Sequence, residues 1–158
     1  MKIKKLTEHI GAEISDIRID SLEQSEIDEI KEAWLAHKVL VFRDQPISVE
    51  AHIAFGKHFG ELEIHPFADN LEDFPEIIVL EAGGDSPRQN YNAAQDWHID
   101  VSFREKPPLG SILRGKAIPE HGGDTHFANA AAAYERLDSD IKSRVDDLFA
   151  VNDYTKMF

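Results

Sequence analysis

The chain has 158 residues, of which 42% are hydrophobic and 30% are charged, as expected for one globular domain with a substantial core. The formal net charge of -13 argues against nucleic-acid and membrane partners, because such proteins gather Lys and Arg on one face. The lack of cysteine excludes disulfides, thiolate metal sites and a cysteine nucleophile. No apolar run has the length of a membrane span, and we expect a cytoplasmic protein.

The N-terminal part of the chain predicts edge strands followed by a helix. Residues 2–19 alternate weakly between apolar and polar positions, which indicates one or two strands with Gly11 at a bend. Residues 21–38 then place apolar side chains at helical spacing, with Ser21 available as the N-cap and acidic residues in the early turns. This pattern is typical of an amphipathic helix with one solvated face.

The next segment predicts a buried strand and a second helix. The run from Val39 to Phe42 is rich in β-branched residues and too short for a helix. Ser48 then opens a helix that we expect to run to Glu61 and to bury Ile53, Phe55 and Phe59.

The rest of the chain predicts short strands and a helical end. Four apolar segments separated by turn residues are strand candidates, at residues 76–83, 96–103, 110–117 and 123–129. Residues 130–149 are helical in pattern, with a break between two helices near Asp138 and Ser139. Helices followed by several short strands indicate an α+β protein built on an antiparallel sheet or barrel.

His98 and Asp100 stand two positions apart in the second of these strand candidates, DWHIDVSF. On a strand they project to the same face about 6 to 7 Å apart, so both side chains can reach one metal ion. A neutral imidazole and a carboxylate are two of the three ligands in the facial triad of non-haem Fe(II) enzymes. A hydrogen-bonded structural histidine beside an edge-strand acid explains the same tripeptide, and the spacing alone favours that simpler interpretation.

Three further segments help to choose between these two interpretations of the tripeptide. Gly122 and Gly123 make a tight turn before Thr125, whose hydroxyl can donate to a carboxylate. The segments VFRDQPI, at 41–47, and FGELEIHP, at 59–66, precede the tripeptide. In this order, the four segments resemble the taurine dioxygenase and 2,4-dichlorophenoxyacetate dioxygenase (TauD/TfdA) family of Fe(II)- and 2-oxoglutarate-dependent enzymes.

The resemblance implies a double-stranded β-helix, which is a jelly-roll barrel, with flanking helices. Residues 1–158 match the N-terminal part of that single domain. By this resemblance His98 and Asp100 are iron ligands, and Thr125 binds the distal carboxylate of 2-oxoglutarate. His65 matches a histidine that contacts the anionic group of a substrate, although a loop histidine beside a proline is an equal alternative.

The activity implied by the resemblance is hydroxylation of a small organic substrate, expected to be anionic. O2 and 2-oxoglutarate are consumed, and succinate and CO2 are formed. Ala68 and Ala94 stand where taurine-specific members of the family carry Tyr and Asn, which argues against taurine itself.

The family's second iron histidine and its 2-oxoglutarate-binding arginine match positions beyond Phe158. We therefore interpret the sequence as a fragment of a longer enzyme, inactive alone, whose exposed sheet edges favour homo-oligomers. One alternative is a non-catalytic metal- or ligand-binding module that retains half of the site. Another is a metal-dependent hydrolase with an activated water, which leaves Thr125 unexplained.

The fragment interpretation predicts the intact mass of the protein in its source cells. We expect a mass well above the 17.9 kDa of this chain, measured by mass spectrometry of the native protein. A native mass of 17.9 kDa would contradict the interpretation and favour the binding module.

Overall fold

The computed structural model describes residues 1–65, 70–80 and 97–153 and shows a small α+β protein. The elements in chain order are β1 (Lys2–Lys5), β2 (Ala12–Ser15), α1 (Gln24–His37), β3 (Leu40–Phe42), α2 (Val49–Lys57), β4 (Asn70–Leu71), β5 (Phe74–Ile78), α3 (Ala130–Glu135) and α4 (Ser139–Val145). None of the helices described is long and apolar enough to cross a membrane.

The chain divides into two compact units. The first unit comprises Met1–Glu61 and Gly115–Leu148, and it holds a three-stranded sheet and the four helices found among the described residues. The second unit comprises Leu62–Arg114 and Phe149–Phe158, and it holds the β4–β5 hairpin.

A three-stranded sheet in the order β1-β2-β3 forms the frame of the first unit. β1 pairs with β2 antiparallel, and β2 pairs with β3 parallel, with Ile14 opposite Phe42. Gly11 precedes β2 with a φ of 89°, a conformation that glycine adopts without steric cost. The predicted strands around a bend at Gly11 and the predicted strand at Val39 to Phe42 are therefore confirmed.

Helix α1 is the predicted amphipathic helix, although it is capped by a different residue. The N-cap is Glu23, whose backbone N–H donates to Glu26 Oε2 at 2.9 Å, so the prediction of Ser21 as the cap was wrong. A glutamate three residues inside the helix satisfies the first free N–H in the manner of a capping box. The helix buries Ile27 and Ile30 on its inner face.

Helix α2 begins as predicted at Ser48, whose Oγ accepts from the N–H of Ala51 at 3.1 Å. The helix ends at Lys57, before the expected Glu61, and it buries Phe55. Ile53 and Phe59, also predicted to be buried, are half-buried.

The core of the first unit is one apolar cluster that joins the two helices to the sheet. Ile30 of α1 and Phe55 of α2 pack there with Ile19 and Ile47. The ring of Phe55 also meets Phe42 of β3 edge to face, with 5.7 Å between the ring centroids.

The last two helices are separated where the sequence predicted a break. Asn129 caps α3 by accepting from the N–H of Ala132 at 3.1 Å, and Asp138 is the N-cap of α4. The hydroxyl of Tyr134 on α3 donates to Asp146 after α4, which raises the pKa of Tyr134. This hydrogen bond therefore links the ends of the two helices.

Three of the four predicted late strands are wrong. Residues 97–129 contain no strand, and Asp96, which begins the candidate at 96–103, lies outside the described residues. The candidate at 76–83 is confirmed in part, because β5 covers Phe74–Ile78 and pairs with β4. A strand persists only where a neighbour satisfies its backbone groups, and residues 97–129 form turns and irregular chain instead.

The cap of α2 provides a test of the fold. Replacing Ser48 with Ala removes the acceptor for the Ala51 N–H, and we expect the free energy of unfolding to fall by about 1 kcal/mol in urea denaturation. The Ser48 side chain also lowers the pKa of Glu50, so that pKa should rise in the variant. Ser25→Ala, in the first turn of α1, is the control and should cost no stability. Equal stability of Ser48→Ala and wild type would contradict the assignment of this cap.

Candidate metal centre

His98 lies just before a turn of the second unit and Asp100 is the first residue of that turn, and their side chains approach each other directly. The distance between His98 Nε2 and Asp100 Oδ1 is 3.2 Å. The prediction that the pair lies on a strand was wrong, because residues 100–103 form a turn.

The backbone of this turn carries local strain. Val101 has a φ of 51°, a left-handed conformation that is rare for a β-branched residue. The N–H of Arg104 donates to the carbonyl of Val101 at 3.2 Å and closes the turn. Strain of this kind persists only where surrounding contacts hold the backbone in place.

Side chains from distant parts of the second unit supply those contacts. Ser111 Oγ donates to Asp100 Oδ2 at 2.9 Å, and Ser102 Oγ donates to Asn152 Oδ1 at 3.3 Å. Arg104 reaches back to the segment before the hairpin, where its guanidinium lies 2.8 Å from Glu63 Oε1. The turn that holds the His–Asp pair is therefore fixed by side chains rather than by a strand ladder.

The His–Asp pair fits a divalent cation. Two ligand atoms about 2.1 Å from a metal and at right angles to each other are about 3.0 Å apart, close to the 3.2 Å between Nε2 and Oδ1. Both side chains are about half exposed, at 49% and 57%, so a cation can reach them from solvent. Imidazole and carboxylate are the ligand types that Fe(II) uses in a facial triad.

The pair is not a complete metal site within the residues described. No group of three or more His, Asp or Glu side chains with metal-binding geometry occurs in residues 1–65, 70–80 and 97–153. His121 and His126, which flank the glycine turn, belong to the first unit, and both are exposed. Two ligands leave the remaining coordination positions to other groups.

His65, the candidate substrate residue, lies in the second unit beside the hairpin. Its backbone carbonyl accepts from Asn70 Nδ2 at 3.4 Å, and its side chain is half-buried. Glu63, the partner of Arg104, stands two residues before it. Ala68 and Ala94, the positions that argue against taurine, lie outside the described residues.

Thr125, the candidate 2-oxoglutarate residue, is exposed and lines a concave surface of the first unit. Gly122 and Gly123 before it have φ values of 77° and 72°, which confirms the tight turn predicted at these two glycines. The concavity has a volume of about 340 Å³ and is mainly apolar. Its lining residues are Leu6, Thr7, Ile10, Gly11, Val39, Val41, Thr125, His126 and Phe127.

Sequence reasoning missed the residues that support the pair. Ser111 lies 11 residues beyond Asp100, and Glu63 lies 41 residues before Arg104. Neither separation belongs to a local motif, so no pattern in the sequence indicated these contacts.

The comparisons with known proteins agree on one family. Residues 2–158 match the family described as "Taurine catabolism dioxygenase TauD, TfdA family". An alkylsulfatase of Acinetobacter baylyi is 39% identical over 96% of this chain and 47% of its own length. The (S)-phenoxypropionate/alpha-ketoglutarate-dioxygenase of Sphingobium herbicidovorans is 30% identical over 94% of this chain and 52% of its own length. The chain thus spans about half the length of the curated relatives it matches.

Solved structures resemble the chain over the same extent. A taurine dioxygenase from Burkholderia xenovorans has a TM-score of 0.77 and 36% identity, and the match covers 92% of this chain and 51% of that one. AAD-2, solved in complex with Mn(II) and N-oxalylglycine, has a TM-score of 0.74 and 30% identity, with 94% and 50% covered.

The ion pair between Arg104 and Glu63 can be tested by a double-mutant cycle. We expect Arg104→Met to lower the free energy of unfolding by about 1 kcal/mol, since both side chains are partly shielded from water. Most of this loss should vanish in a Glu63→Gln background, as measured by urea denaturation. Arg144→Met, on the exposed face of α4, is the control and should change little. A coupling energy near zero would show that the pair does not hold the turn.

Proposed function

Because the chain belongs to the TauD, TfdA family of dioxygenases, we propose that the protein is an Fe(II)- and 2-oxoglutarate-dependent dioxygenase that hydroxylates a small anionic substrate. The overall reaction converts a substrate C–H, O2 and 2-oxoglutarate into C–OH, succinate and CO2. The observation that carries the proposal is the 3.2 Å approach of His98 Nε2 to Asp100 Oδ1 in a chain that matches this family along its length.

His98 and Asp100 are the residues proposed to hold the iron. Bound iron and 2-oxoglutarate supply the oxidising chemistry, and the protein contributes binding and orientation. His98 would hold the metal through a neutral ring nitrogen and Asp100 through an ionised carboxylate. The negative charge of Asp100 also offsets part of the charge of the cation.

Thr125 is proposed to bind 2-oxoglutarate through a hydrogen bond from its hydroxyl to a carboxylate. The exposure of Thr125 and the apolar concavity that it lines support this role, because such a surface can hold the methylene carbons of the cosubstrate. Val39 and Val41 provide part of that apolar lining.

The substrate is proposed to carry an anionic group that His65 contacts. The names of the relatives support an anion: one is an alkylsulfatase, one a phenoxypropionate dioxygenase, and one from Pseudomonas putida a sulfate ester dioxygenase. A histidine can donate to a sulfate, a sulfonate or a carboxylate oxygen. The proposal therefore names the charge of the substrate and leaves its carbon skeleton open.

Residues 1–158 are proposed to be the N-terminal part of a single double-stranded β-helix domain. The chain covers about half of each relative, and this supports a proposal that the third iron ligand, the 2-oxoglutarate-binding arginine and further strands belong to sequence beyond Phe158. The cytoplasmic location and the association into homo-oligomers stay predictions.

The proposal predicts which substitutions abolish succinate formation. In the full-length gene product, we expect succinate to form only with Fe(II), O2 and 2-oxoglutarate present, in an assay with alkyl sulfates, sulfonates and phenoxy acids as substrates. His98→Ala and Asp100→Ala should each reduce the rate to background, because each removes an iron ligand. His121→Ala, on an exposed loop, is the control and should keep the wild-type rate. Wild-type turnover in either ligand variant would refute the proposal.

A further inference from the structure

The two carboxylate oxygens of Asp100 have separate partners. Oδ1 lies 3.2 Å from His98 Nε2, and Oδ2 accepts a hydrogen bond from Ser111 Oγ at 2.9 Å. Both distances are within hydrogen-bonding range. The carboxylate is thus oriented with one oxygen directed toward the histidine and the other held by serine.

We propose that Ser111 is a positioning residue that makes Asp100 a one-oxygen metal ligand. This inference rests on the proposed function of the His–Asp pair. A carboxylate can bind a cation through one oxygen or through both. The hydrogen bond from Ser111 holds Oδ2 on one side, so Oδ1 is the oxygen directed to share a cation with His98 Nε2.

A neutral hydroxyl is well suited to this role. An Arg or Lys in the place of Ser111 would pair with the charge of Asp100 and compete with the cation for it. The serine takes up one lone pair of Oδ2 and leaves the carboxylate ionised. One-oxygen binding also keeps coordination positions open, which an enzyme needs if a cosubstrate and O2 are to reach the same metal.

The segment that delivers Ser111 is restrained. Pro107 and Pro108 have fixed φ angles and limit the conformations of the residues before them, which restrains the chain between Asp100 and Ser111 in part. The other serine near the pair, Ser102, donates to Asn152 instead. Ser111 is therefore the serine that the structure assigns to Asp100.

The test measures metal affinity rather than turnover. In the full-length gene product, titration with Mn(II) followed by electron paramagnetic resonance should show Ser111→Ala binding about 10- to 100-fold more weakly than wild type, as expected when the hydrogen-bond partner of a ligand is lost. Ser111→Thr keeps the hydroxyl and should restore most of the affinity. Ser102→Ala removes a hydroxyl that supports the same turn but donates to Asn152 and not to Asp100, so it should weaken binding much less than Ser111→Ala does.

A second measurement separates positioning from simple support of the fold. With Mn(II) bound at saturation, Ser111→Ala frees Oδ2 to bind the metal, and we expect fewer metal-bound waters in water-proton relaxation. Wild-type affinity and hydration in Ser111→Ala would overturn the inference. An equal loss of affinity in Ser102→Ala and Ser111→Ala, with a matching fall in melting temperature, would also overturn it, because it would show general support of the turn.

His98→Ala distinguishes this inference from the function on which it rests. If His98→Ala binds Mn(II) as tightly as wild type, the His–Asp pair is not the metal site and both proposals fail. If His98→Ala loses the metal and Ser111→Ala does not, the proposed site stands and only the role of Ser111 is overturned.

Discussion

The parallel pairing of β2 with β3 is the constraint on which the first unit depends. Parallel neighbours cannot be joined by a tight turn, so the chain must cross over between them, and α1 lies in that crossover. Ile30 of α1 enters the cluster against which Leu40 and Phe42 of β3 pack, and Phe55 of α2 completes it. β3 also supplies Val41, and the residue before the strand, Val39, to the concavity that Thr125 lines, so the core and a candidate binding surface use the same segment of chain.

The candidate metal centre is stabilised differently from that frame. Its turn has no strand partner among the described residues, and it contains a valine in a left-handed conformation. Three long-range side-chain contacts, from Ser111, Asn152 and Glu63, hold it in place. Exposed contacts of this kind contribute little individually, so such a turn is expected at the low end of local stability. A bound cation would add order at this point, because it binds only the arrangement in which both ligands meet.

Asp100 has two parts in the proposed chemistry. It would bind the metal, and by binding through one oxygen it would leave coordination positions open. Its charge attracts a cation, and the hydrogen bond from Ser111 limits how that charge is presented. Binding and catalytic residues often lie on turns and loops, because a turn can direct several side chains to one position. In the second unit, Arg104 connects the turn that carries the His–Asp pair to Glu63, two residues before His65.

The sequence alone determined the local elements and the family. Helix α1, the Ser48 cap of α2, the break before Ser139 and the bend at Gly11 all depend on residues close together in the chain, so periodicity and turn chemistry predicted them. Four short motifs sufficed to name the family and the His98 and Asp100 pair. Local preference predicted Ser21 as the cap of α1, because serine is a favoured N-cap residue, but the cap is Glu23, whose backbone N–H donates to the side chain of Glu26.

Only the tertiary structure decided whether apolar segments became strands and which side chains support the pair. An apolar run becomes a strand only if a partner pairs with it, and residues 97–129 form turns and irregular chain although their sequence favours strands. The contacts of Asp100 with Ser111 and of Arg104 with Glu63 join residues far apart in the chain. Such contacts are set by how the chain folds back on itself, and a linear pattern does not encode that path.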